Sequence, residues 1–196
     1  MIVMSISFGK NRLFEKKLNE QKEKIVKKWF DMTVESYPPD TAAFLKRQSD
    51  PFANPVGQTT SRRLSDLFDA LMEGSDRDKI ASILDPVIKI RALQAFAPSR
   101  AIFFVQGLKR IVRELFSDSE KSAVLVDLLH FESVIDSAGF IAFDIFMENR
   151  EKMYHLKATE IRNRTLVAFE RAGLMDAGDL DEPADGAPPS CSAPCA

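Results

Sequence analysis

Cysteine is nearly missing from this chain. It has two, Cys191 and Cys195, both among the last six of 196 residues. No disulfide framework can therefore hold the fold. Their C-x-x-x-C spacing is not the redox C-x-x-C, and acidic surroundings do not favour the thiolate. They read as exposed thiols, with a redox-sensitive or metal-capturing tail as the sharper alternative. Histidine is equally scarce, with only His130 and His155. A haem site needs a His facing a large apolar pocket, but His130 falls beside an apolar helical stripe and His155 lies beyond the expected core. Glu132 and Asp136 near His130 are too few for a metal centre, and no E-x-x-H repeat joins them. Asp127 and His130, three apart, read as a solvated helix-surface pair. No G-x-S-x-G element supports a nucleophilic hydrolase. No cofactor is expected.

Long apolar runs are also missing. The longest, A-I-F-F-V from Ala101 to Val105, falls far short of a bilayer span. The opening M-I-V-M-S-I-S is too short for a secretory core and has no basic stretch before it. A cytoplasmic protein without membrane insertion is expected. Net charge is only -2, unevenly spread: Asp176, Asp179, Asp181, Glu182 and Asp185 follow Gly173 without a single Lys or Arg. The rest of the chain is mildly basic and lacks the concentrated face that nucleic acid requires.

What is present is material for helices. The chain is 45% hydrophobic and carries fifteen Phe, enough for one sizeable core. From Leu13, the positions Phe14, Leu18, Ile25, Trp29 and Met32 recur at helical spacing, and Pro38 and Pro39 end that helix near Tyr37. D-T-A-A-F-L-K-R-Q predicts one short turn of helix. Leu64, Leu67, Phe68, Leu71 and Met72 form the apolar stripe of a helix that Thr59 or Thr60 caps, with Gly74 left-handed at its end. Ser75 and Asp78 predict a capping box. Asp85-Pro86 then either kinks that helix or starts a new one. A further helix is predicted from about Ser99 to Phe116. Ser117 and Glu120 open a very long one, whose positions Val124, Leu128, Phe131, Ile135, Ala138, Ala142 and Ile145 alternate steps of four and three. Past Phe146, Met147, Tyr154, Ala158, Ile161, Thr165 and Ala168 form a second, weaker stripe. It either faces a partner chain or packs on its own domain. The domain is expected to span residues 1–173, with 174–196 a disordered acidic tail.

Between the first helices lies D-P-F-A-N-P-V-G, Asp50 to Gly57. A phosphate cradle would need several glycines and a following Lys. This stretch has one glycine, so it reads as a rigid corner, with Gly57 supplying a positive φ. Arg62 and Arg63 at the start of the next helix, and Lys109, Arg110 and Arg113 on the polar side of a later one, are the candidate partner-binding residues. If the two helices pack together, their basic patch suits an acidic partner or the chain's own tail.

D-P-F-A-N-P-V-G-Q-T-T-S-R-R-L-S-D-L-F-D-A-L, preceded by the Trp-bearing V-K-K-W-F-D-M-T-V-E-S-Y-P and followed by I-R-A-L-Q-A-F-A-P-S-R, resembles the RsbRD-type N-terminal domains of RsbT co-antagonists. The likeness runs from about Leu13 to Leu166. It implies an all-α helical bundle, globin-like without haem, serving as a sensor or regulatory domain of bacterial signalling. In longer relatives such a domain precedes a STAS domain. Here a stand-alone version is expected, which the resemblance associates with stress signalling or anaerobic sulfur respiration. The expectation is a non-enzymatic module that binds protein partners and forms a homodimer along the long helix. The alternative is a ligand- or haem-binding globin-like sensor.

Overall fold

The computed structural model describes residues 12–48, 50, 52–94 and 96–173. The acidic tail 174–196, with Cys191 and Cys195, lies outside the described residues, as does the opening M-I-V-M-S-I-S. The described residues form helices and no strand: α1 (Arg12–Glu20), α2 (Lys22–Val34), α3 (Pro39–Arg47), α4 (Pro55–Met72), α5 (Arg77–Leu93), α6 (Pro98–Arg113), α7 (Asp118–Ala123) and α8 (Leu125–Arg171). The chain divides between Met153 and Tyr154, inside α8.

In the first unit, α2 packs on both α4 and α6, with α1 and α3 beside it, while α5 packs on α4 and α6. Trp29 is fully buried at the centre of α2 and donates Nε1–H to the Phe104 carbonyl of α6 at 2.7 Å. Burial and hydrogen bond together satisfy its apolar body and its polar tip. Phe14 of α1 stacks on Phe116 and meets Phe131 of α8 edge-on, at centroid distances of 5.6 and 5.9 Å. Every member of the Val124-to-Ile145 stripe is buried. Each such side chain taken out of water contributes on the order of 1.5–3 kcal/mol.

The structure corrects several expected boundaries. The first predicted helix is two, broken at Gln21, whose φ and ψ are -104° and 8°; no Pro or Gly marks the break. The short turn after Pro38 is the nine-residue α3. Helix α4 starts at Pro55, with Asn54 as its cap rather than Thr59 or Thr60. The Asn54 side chain accepts from Gly57 N at 2.8 Å and donates to the carbonyls of Leu45 and Gln48 at 3.0 and 2.8 Å. One buried amide thus ties α3 to the start of α4. Gly57 does not have a positive φ. A Cβ there would lie 2.3 Å from Asn54 Nδ2, so glycine is required by close approach.

Gly74 does take a left-handed φ of 66°. With Ser75 N bonded to Ala70 O and Gly74 N to Leu71 O, it closes α4 in a Schellman motif. The next cap is Asp76, accepting from Lys79 N, rather than Ser75. Pro86 sits inside one continuous α5. Ser117 and Glu120 do form the capping box, but it opens the six-residue α7, and Val124 separates α7 from α8.

Candidate functional site

The five basic residues singled out from sequence fall into two groups. Arg62 is exposed and lines a groove with Lys22, Lys27 and Phe30 of α2, while Arg63 contacts Asp66 at 3.3 Å. Lys109, Arg110 and Arg113 line a groove beside Met32 and Phe103. Helices α4 and α6 each pack on α2, so the two groups come from different neighbours of that helix. The α6 group is already engaged within the chain. Lys109 Nζ meets Asp136 at 2.5 Å, Arg110 Nε is 3.8 Å from Glu114, and Arg113 grips Glu132 through Nε and Nη2. The buried Glu132 carboxylate, by hydrogen bond first and charge second, holds the Arg113 pKa above its ordinary value.

A second site was not anticipated. A pocket of about 930 Å³ is lined by Ser36, Tyr37, Pro38, Pro39 and Thr41 from the α2–α3 corner, and by Gln94, Phe96, Ala97 and Arg100 from the α5–α6 corner. A smaller lobe of about 230 Å³ shares Tyr37, Thr41 and Gln94 and is walled by Ala53, Asn54, Pro55 and Val56. Arg91, 2% exposed, lies against these walls. Its Nε donates to Ala101 O at 2.8 Å, and its Nη2 donates to Ser36 Oγ and Arg100 O at 2.7 and 3.1 Å. Its guanidinium lies 4.6 Å from the Phe96 ring centroid and 5.4 Å from those of Tyr37 and Phe104. The atoms it touches belong to carbonyls, a hydroxyl and rings, the Arg100 charge acts on it as a like charge, and among the described residues no ion pair joins a carboxylate to Arg91 or Arg100. Burial pulls the Arg91 pKa below its ordinary value and pushes that of Tyr37 up. Carbonyl acceptors and aromatic faces offset the desolvation of the cation only in part.

The family model of the RsbT co-antagonist protein RsbRD N-terminal domain matches residues 23–161. The chain belongs to that family. No curated protein and no solved structure matches it. RsbRD N-terminal domains are associated with stress-signalling regulators, so a regulatory domain is the class to which this site belongs.

The segments that carry the RsbRD resemblance meet at this pocket. D-P-F-A-N-P-V-G supplies the smaller lobe, and R-A-L-Q-A-F-A-P-S-R supplies Arg91, Gln94, Phe96 and Arg100. One signal was legible in the sequence: Ile80, Ile83, Leu84, Val87 and Ile88 are buried at helical spacing, and Arg91 is the next position of that stripe. A cation in an apolar register is a buried-charge warning. Of the two histidines, His130 is half-buried and His155 exposed, and neither lines this pocket. Among the described residues no three His, Cys, Asp or Glu side chains gather in a metal-binding group, and no helix is long and apolar enough to cross a membrane.

Proposed function

We propose that this chain is a non-enzymatic regulatory module of a bacterial signalling pathway, serving stress response or anaerobic sulfur respiration. It works by contact with protein partners, and it pairs with a second copy of itself along the C-terminal part of α8. The observation that carries this reading is the stripe Tyr154, Ala158, Ile161, Thr165 and Ala168. It repeats the alternation of four and three in a shifted register, and every member is exposed, whereas the alternation from Val124 to Ile145 is buried throughout. An apolar heptad seam is stable in water when a second helix covers it.

The residues flanking the stripe set its salt response. Lys157, Arg162 and Arg164 lie beside it, with Arg164 bonded to Glu160 at 2.6 Å. Two copies bring these like charges together, so screening by salt favours the pair. Light scattering on the full chain at roughly 50 µM is expected to give twice the 22.0 kDa chain mass, with the dimer fraction rising with salt. Ile161→Asp is expected to return one mass. A strict monomer at low and high salt contradicts the self-pairing.

Arg62, Arg63, Lys109, Arg110 and Arg113 are proposed as the contact for an acidic partner. For the α6 group this means exchange with Asp136, Glu114 and Glu132, which weakens as salt rises. The second reading is a ligand-binding, globin-like sensor, favoured by the pocket at the α3 and α6 starts. A Soret band after purification with haem would be the signature of its haem form; neither His130 nor His155 lines that pocket, so the pocket itself favours a ligand other than haem.

A further inference from the structure

An apolar surface lies on the first unit, away from the pocket. Phe103 of α6 and Phe140, Phe143 and Met147 of α8 are 61, 71, 42 and 36% exposed. Three pairs set these helices side by side. Arg113 meets Glu132, Lys109 meets Asp136, and Gln106 lies against Gly139, where a Cβ on the glycine would be 2.4 Å from Gln106 Nε2. The numbers fall along α6 as they rise along α8, so the two run antiparallel. The next step brings Phe103 level with the turn that carries Phe140 and Phe143. Large apolar side chains grouped in the open mark a surface that a partner covers. The carboxylates at its border, Asp136 and Asp144, are paired with Lys109 and Arg77. A surface of the same kind can therefore cover it without stranding a charge.

Two observations name the occupant. Along α8, Phe140, Met147, Tyr154, Ile161 and Ala168 recur at every seventh residue, and each is exposed. The seven-residue repeat of a paired helix thus begins two heptads before Tyr154. The seam from Tyr154 to Ala168 spans only two heptads, and two alanines and a threonine are among its five members. A sustained coiled coil takes about three or four heptads, and a stable interface about 20 residues a side. The surface around Phe140 supplies the missing area. We propose that a second copy of this chain covers Phe103, Phe140, Phe143 and Met147 with the same four residues of its own, the two α8 helices running parallel. Parallel pairing sets each member of the repeat against its counterpart. Antiparallel pairing about Tyr154 would set Phe140 against Ala168 and leave Phe103 bare. This inference rests on the self-pairing reading and places most of its contact area before Met153.

Disulfide trapping in the full chain, with Cys191→Ser and Cys195→Ser removing the native thiols, is the test. Phe140→Cys, Ile161→Cys and, on the exposed side of α5, Ser82→Cys are oxidised separately and scored for doubled mass. A bridge needs Cα atoms within about 7 Å. Phe140→Cys and Ile161→Cys are both expected to cross-link, and Ser82→Cys to stay at one mass. In sedimentation, the double variant Phe140→Ser, Phe143→Ser is expected to raise the dimer Kd at least about tenfold. Both side chains are exposed, so its melting temperature should match the parent. Cross-linking of Ile161→Cys alone, or an unchanged Kd in the double variant, would overturn this surface and leave the seam after Tyr154 standing. Cross-linking of Phe140→Cys alone would overturn the parallel arrangement. Cross-linking of neither, or of Ser82→Cys to the same extent, would overturn the self-pairing and this surface together.

Discussion

Asn54 shows how much one side chain does in this fold. Its amide caps α4 through Gly57 N and at the same time satisfies the Leu45 and Gln48 carbonyls at the end of α3. Asn54→Ala removes all three bonds and leaves buried carbonyls unpaired, so it is expected to cost about 2–4 kcal/mol by urea unfolding. Asn54→Asp keeps the cap but turns a carboxylate on two carbonyl oxygens, so it is expected to destabilise by at least as much. If Asn54→Asp proved neutral, the cap alone would be the role. The sequence made D-P-F-A-N-P-V-G legible as a corner but misassigned its cap. Thr59 and Thr60 have the right chemistry, yet Pro55 preset the first turn earlier and Asn54 was the side chain in place. Arg91 and Gln94 were harder to read, because their roles depend on α2, α3 and α6 converging, which no local pattern encodes.

At the scale of elements, the long-range pattern was read more accurately than the breaks. The seam from Val124 to Ile145 was legible to the residue because burial follows helical periodicity directly. The interruptions at Gln21 and Val124 carry no Gly or Pro, so no local signal marks them. Two elements yield predictions. Pro86 sits inside α5 without an N–H to donate, so Pro86→Ala is expected to stabilise by about 1–2 kcal/mol in the same urea assay.

In α7, Glu120 Oε2 accepts from Ser117 N and Oγ at 2.8 Å each, while Oε1 meets Lys17 Nζ at 2.6 Å. The Lys17 bond first, then the Ser117 bonds, lower the Glu120 pKa from the ordinary 4.5 to about 2. A carboxylate depressed in the folded state stabilises above its unfolded pKa, and the contribution fades as pH falls toward the folded value. The melting temperature of Glu120→Gln should therefore lie below that of the parent above about pH 5, with the gap closing toward pH 2. A gap independent of pH would assign the effect to packing.

For the whole molecule, the division inside α8 is the feature on which the functional account depends. Up to Met153 the helix supplies core side chains such as Phe131, Ile135 and Phe146, and it is tied to neighbouring helices by Arg113–Glu132, Lys109–Asp136 and Arg77–Asp144. From Tyr154 on, Leu156, Ile161, Val167 and Phe169 are exposed. The second stripe was legible in the sequence; whether it faced the domain or a partner was not, since periodicity records that a face is apolar and not what covers it.

An exposed single helix opens readily, while one covered by a second copy opens only after dissociation. Amide hydrogen exchange along α8 at two protein concentrations is therefore the most direct test of the account. Protection from Tyr154 to Arg171 is expected to rise with concentration, while that from Leu125 to Met153 stays high and constant. Exchange from Tyr154 to Arg171 that is fast and the same at both concentrations would contradict it.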